Sequence, residues 1–155
     1  MEPKTILWPT DLSKSSIDSA KHVLSLSRKY GAGVVMLYVA VNLCDFFPAY
    51  GNYPSPNVLK DFQSWELQHA REQMEHVCER DLKECPNLEI EVVQGDPVEE
   101  ILEMVKKKDA DMIVVAGRNK KTGAAKGTYL AEAMGDLIHL APVPVLVVNP
   151  DTPPV

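Results

Sequence analysis

Val34-Val35-Met36-Leu37-Tyr38-Val39-Ala40-Val41 is apolar at nearly every position, rich in β-branched residues, and shows no polar alternation that would mark a solvent face. A strand of this kind is covered on both sides, as happens when helices cross over both faces of a parallel sheet. Towards the N-terminus, Thr5 to Pro9 reads as a second short apolar strand. Between the two, Asp11 and Ser13 offer side-chain oxygens that cap a helix. Its apolar positions Ile17, Ala20, Val23, Leu24 and Tyr30 recur at helical spacing until Gly31 ends it.

Towards the C-terminus, residues 42–57 hold Pro48, Pro54 and Pro56 with Gly51 and the aromatics Phe46, Phe47, Tyr50 and Tyr53. This composition predicts a long excursion that serves as a flap or a contact surface for a partner. A long helix is expected from Val58 to about Glu84, with Phe62, Leu67, Ala70, Met74, Val77, Cys78 and Leu82 on one stripe and Pro86 as its stop. Leu88 to Val93 alternates as a strand, and Gly95-Asp96-Pro97 turns the chain. Pro97 suits the first turn of a helix through Ile101, Leu102 and Val105, whose negative end carries Lys106 to Lys108. Met112 to Ala116 is another buried strand. A Gly- and Lys-rich loop, a helix from about Thr128 to Leu140 and a last strand at Val143 to Val148 complete the series. Strands alternating with helices in this way predict a single α/β domain over residues 1–150, a doubly wound five-stranded parallel sheet, with 151–155 as a loose tail.

The 155 residues carry a net charge of −6, with 45% hydrophobic and 25% charged residues, an ordinary globular composition. That balance excludes a nucleic-acid binder relying on a broad basic face. The longest apolar run, Ala32 to Val41, is about half of the roughly 20 residues a membrane-spanning helix needs. Neither nucleic acid nor membrane is an expected partner, and a cytoplasmic location is expected. Cys44, Cys78 and Cys85 cannot all pair within one chain and show no CxxC spacing, so they read as buried or idle thiols of a reducing compartment.

No catalytic set stands out. The P-loop, dinucleotide and Gly-x-Ser-x-Gly patterns are absent. His69 and His76 lie two helical turns apart, too far to chelate one metal without a third ligand. Glu99, Glu100, Glu103, Asp109 and Asp111 read as a solvated helix face and its exit turn. The expectation is a protein that is not an enzyme, at most a slow ATPase, with no metal site.

Four stretches resemble the universal stress protein family over nearly the whole chain: Pro9-Thr10-Asp11-Leu12-Ser13, Gly95-Asp96-Pro97, Asp109 to Gly117, and His139-Leu140-Ala141-Pro142-Val143-Pro144-Val145-Leu146-Val147-Val148. The resemblance implies strand order 3-2-1-4-5, a fold like that of the adenine nucleotide alpha hydrolases, a cytoplasmic homodimer, and a role in surviving stress. The residues support the dimer separately. In that order the last strand is an edge, yet it is wholly apolar and lacks the charged blockers of solitary edges. Val143, Val145, Leu146 and Val147 are therefore the expected interface.

Many members of that family bind ATP through Gly-x2-Gly-x9-Gly-[Ser/Thr] after the fourth strand, where glycine amides and a helix N-terminus hold phosphate. Gly117 matches the first glycine, Lys120 replaces the second, and Ala131-Glu132 falls where the final pair belongs. In a second register, Gly117 precedes Gly127-Thr128 by nine intervening residues, and Val114 stands for the first glycine. The residues leave both registers open. The loop itself holds Arg118, Lys120, Lys121 and Lys126 around Gly123, without an acid, and reads as a local anion trap. By resemblance, Asp11 matches an acid that contacts adenosine, with Pro9 and Thr10 beside it, and Val39 matches the position whose backbone faces adenine. Leu12 departs from the Val-Asp-Gly-Ser of nucleotide binders. A binding or regulatory module with weak or absent ATP binding is the first expectation. An ATP–magnesium switch with slow hydrolysis is the alternative.

Overall fold

The computed structural model describes residues 3–40, 56–117 and 129–155. They form β1 (Thr5–Pro9), α1 (Lys14–Asp18), α2 (Ala20–Tyr30), β2 (Gly33–Ala40), α3 (Pro56–Asp81), β3 (Leu88–Gln94), α4 (Pro97–Lys108), β4 (Met112–Ala116), α5 (Tyr129–Leu140) and β5 (Val145–Val148). All strand pairs are parallel, in the order β3-β2-β1-β4-β5. Fold class and strand order are thus as expected.

Side chains alternate across the sheet into two cores. Ile6, Trp8, Val34, Met36, Val114 and Val148 face Ala20, Val23 and Leu26 of α2 and Met74 and Val77 of α3. Leu7, Val35, Leu37, Val39, Ile113 and Val115 face Ile101, Met104 and Val105 of α4 and Leu137 of α5. The near-continuous apolar character of β2 follows from this double cover. Trp8, opposite Met36 in the ladder, is fully buried, and its Nε1 finds no hydrogen-bond partner among the described residues.

Several local expectations are corrected. The first helix is broken at Ser19, whose amide donates to both Ser15 and Ser16 carbonyls while its hydroxyl donates to Ser16 O. These competing acceptors close one turn before the next begins. The long helix ends at Asp81, short of Glu84, and Phe62 is 51% exposed, with Leu59 and Gln63 buried in its place. β5 starts at Val145 because Pro144 has no N–H for the ladder; its carbonyl still accepts from Ile113 N at 2.9 Å. Asp111 is a tie between strands, since its Oδ2 accepts from Lys4 N at 2.8 Å and Thr5 N at 3.0 Å. The chain after β5 runs over α2, where His22 bonds to Asn149 and Val155 and Ser25 bonds to Val155.

Elsewhere local chemistry performs as read. Asp96 caps α4 by accepting from Glu99 N at 3.0 Å, with Pro97 in the first turn and Lys106 to Lys108 in the last. Gly31 ends α2 in the left-handed region at φ 64°, where it meets no steric cost.

Candidate functional site

Strand order reverses between β1 and β4, and ligands of doubly wound sheets lie outside the carboxyl ends of strands at such a switch point. Pro9 and Thr10 close β1 there, both buried. Thr10 N donates to Leu37 O at 2.8 Å, fixing the strand end to β2. Beyond it the chain makes a tight turn with Leu12 at φ 62°, a conformation that glycine would adopt at lower cost.

The turn satisfies itself. Thr10 Oγ1 accepts from Leu12 N at 3.0 Å and shares a hydrogen bond with Ser16 Oγ at 2.6 Å. Asp11 Oδ1 accepts from Ser13 N at 2.9 Å, and Ser13 Oγ accepts from Ser16 N at 3.2 Å as the cap of α1. An Asx turn running into a helix cap explains why Asp11 and Ser13 stand two apart. Both readings of Asp11 therefore meet at one place: it lies at the switch point, and one of its oxygens serves the turn.

Gly117 follows β4 and donates its amide to Val148 O at 2.6 Å. A Cβ at that position would lie 3.2 Å from the same carbonyl and 3.4 Å from Val147 Cγ1, so glycine permits the close approach of β4 to β5. Val39 sits opposite Val93 in the ladder, 1% exposed, with its side chain in the α4 core. Arg118, Lys120, Gly123, Gly127 and Thr128 lie outside the described residues, as does the aromatic stretch Phe46 to Tyr53.

The structure adds residues that sequence reasoning missed. Tyr38 on β2 is pushed up to about 12 by burial first, and then by the charges of Glu66 and Asp11. Burial also raises the Glu66 carboxyl, against a hydrogen bond from Gln63 Nε2 at 3.3 Å that favours the ionised form. The first turns of α3 therefore bring an acid and an amide to the side of the switch point that Asp11 occupies. No spacing signal could reveal this, because Tyr38 and Glu66 meet only through the packing of α3 on β2. Along the outer face of α3, Phe62 and Trp65 lie 5.8 Å apart, and Trp65 stacks on His69 at 4.8 Å.

Among the described residues no group of His, Cys, Asp and Glu is arranged to hold a metal ion. No helix among them is long and apolar enough to cross a membrane. Cys78 and Cys85 fit the inert reading, since burial raises Cys78 to about 11 and also raises Cys85; Cys44 lies outside the described residues.

At the sheet edge, Val143 and Val145 are half-buried against the α4–α5 core and Leu146 against the other, whereas Val147 is 45% exposed. β5 pairs with β4 on one side. Ile138 and Leu140 of α5 add exposed apolar surface.

Comparison with known proteins places this arrangement. The sequence profile of the Universal stress protein family matches residues 2–149. A universal stress protein of Methanocaldococcus jannaschii is 32% identical over 148 residues, covering 94% of this chain and 82% of the relative. Among solved structures, the universal stress protein UspA of Lactobacillus plantarum superposes with a TM-score of 0.70 at 24% identity, over 94% of this chain and 97% of that one. A universal stress protein of Archaeoglobus fulgidus in complex with dAMP superposes with a TM-score of 0.55 at 18% identity, over 95% and 98%. With the match running from the first strand through β5, the chain belongs to the universal stress protein family.

Proposed function

We propose that this universal stress protein is a cytoplasmic homodimeric binding or regulatory module, without enzymatic activity, in which ATP binding is weak or absent. The observation that carries the reading is the self-satisfied turn after β1. The amides of Leu12 and Ser13 are taken by Thr10 Oγ1 and Asp11 Oδ1, and the Gly117 amide is taken by Val148 O. A ligand at the switch point that reached for these amides would find none of the three N–H groups free. Here a ligand would have to displace hydrogen bonds already made, which costs about 0.5–1.5 kcal/mol for each one exchanged. Leu12 adds a side chain where nucleotide-binding relatives of this pattern have glycine.

The second reading is an adenine-nucleotide switch, ATP with magnesium, with slow hydrolysis at most. The dAMP complex of the Archaeoglobus fulgidus relative supports it, as does the loop carrying Arg118, Lys120, Lys121 and Lys126 without an acid.

Purification without added nucleotide, followed by denaturation and mass spectrometry of the released small molecules, separates the two. The proposal expects no adenine nucleotide and no saturable heat on titration with magnesium and ATP. Near-stoichiometric nucleotide would overturn it in favour of the switch. In that case Lys120→Glu with Lys121→Glu should lower affinity most at low salt, where screening is weakest.

A further inference from the structure

Val58, Phe62, Trp65 and His69 follow one another on α3 at steps of four, three and four residues, which lines them up along one side of the helix. Phe62 is 51% exposed and Trp65 58%. The rings are nonetheless set against each other, Phe62 tilted towards Trp65 and Trp65 stacked on His69 with the planes 9° apart. The packing of α3 on the sheet uses none of them, since Leu59, Ala70, Met74 and Val77 supply its buried apolar face. A contiguous aromatic surface kept in water, with no part in the core, marks a place of contact.

A row of acids runs beside these rings. At 3.6 residues per turn, Asp61, Glu72, Glu75 and Glu79 fall on the side of α3 next to the stripe, and all four are exposed. Among the described residues none of the four forms an ion pair. Of the three bases on α3, Lys60 and Arg71 fall beyond the acid row, away from the rings, and Arg80 is paired with Asp81 at 2.8 Å. With six acids against those three bases, α3 is an acidic helix that presents aromatic rings along one seam.

We propose that this face of α3 docks a basic amphipathic helix of a partner protein, with apolar side chains seated on Phe62 and Trp65 and lysines or arginines along the acid row. Helices recognise helices in this way, by apolar residues at the seam and complementary charges beside it. Exposed Trp and Phe side by side are the residue types that carry most of the energy of such contacts. Charge selects the occupant. An antiparallel pairing with a second copy would set the acid row against its own counterpart, whereas a basic helix neutralises it. α3 packs over β3 and β2, at the opposite margin of the sheet from β5, so the face stays open when β5 joins a partner strand. The inference does not depend on whether nucleotide binds, because none of these rings takes part in the turn after β1.

The two tryptophans make the face readable. Trp8 is fully buried, so a change at α3 is seen as a blue shift of the Trp65 emission, which Trp65→Phe removes. The probe is a synthetic peptide of about 18 leucines and lysines, with the leucines at helical spacing. Full-length parent protein should give a saturable blue shift. Phe62→Ala should weaken binding about tenfold with unchanged circular dichroism, since this ring is not in the core. Asp61→Lys with Glu72→Lys should weaken it comparably at low salt and less at high salt. A peptide with glutamate in place of lysine should give no shift, nor should one of the same composition without helical periodicity. The absence of a shift with the lysine peptide, equal binding by either control peptide, or unchanged affinity in either variant overturns the proposal. So does a Trp65 already shielded in dilute parent protein, which assigns the face to the chain itself, or one shielded progressively as protein concentration rises, which assigns it to a second copy.

Discussion

Tyr38 shows most directly how position alters the chemistry of one residue in this protein. Partial burial of its side chain first, and then the charges of Glu66 and Asp11, keep the phenol of the folded chain protonated up to about 12, against 10.0 when free. Between those values the folded state holds one more proton than the unfolded chain. The contribution of Tyr38 to stability is thus complete below about pH 10 and is lost as pH rises through about 12. Alkaline titration followed by tyrosinate absorbance should show one late step near pH 12, and Tyr38→Phe should remove it; a parent titration complete by pH 11 would refute this environment. Tyr38 and Glu66 were not legible in the sequence, because a phenol inside an apolar strand gives no periodic signal of what a helix some 30 residues later lays against it. Asp11 was legible, but not the destination of its oxygen: capping acids and ligand-binding acids look alike until hydrogen bonds are seen.

Elements here are set by local chemistry and then secured over long distances. The alternation of apolar strands with amphipathic helices made four of the five strands readable almost to the residue, and α4 readable at both ends from Pro97 and its lysines. Errors fell where two signals compete within one element. Ser19 has helical neighbours and acceptors at two spacings, and α3 carries a buried stripe through Leu59, Ala70 and Met74 beside an exposed one through Phe62 and Trp65. Asp111 was misread because a carboxylate after a helix is usually solvated, whereas this one binds two amides at the start of β1. Asp111→Ala should cost about 2 kcal/mol, the loss of two hydrogen bonds to a charged acceptor partly replaced by water. Urea denaturation should show this as a lower midpoint at unchanged slope. Lys108 plays the matching part on the other side, joining α4 to Glu89 at 2.6 Å and Glu91 at 3.0 Å of β3, and these hydrogen bonds raise its affinity for a proton.

For the molecule as a whole, β5 is the exposed margin of the sheet and β3 the other. β3 carries Glu89 and Glu91, both tied to Lys108 of α4, while β5 presents only valines and a leucine. On the homodimer reading this asymmetry selects the margin that joins a partner, and Val147→Lys should convert a dimer to a monomer. Sedimentation velocity would register the change, with unchanged circular dichroism showing that the fold survives; a parent protein that sediments as a monomer would remove the interface from the account. The central place of β1 has a different kind of consequence. Its first amide is closed by a carboxylate 106 residues downstream, and one of its two neighbours is β4. During synthesis at about 5–20 residues per second, β1 can join β2 and β3 soon after they emerge, but one of its sides stays open until β4 has left the ribosome. The nascent chain therefore passes through a half-sheet whose margin is the unpaired apolar strand β1, and that interval is when it is most open to pairing with the wrong strand.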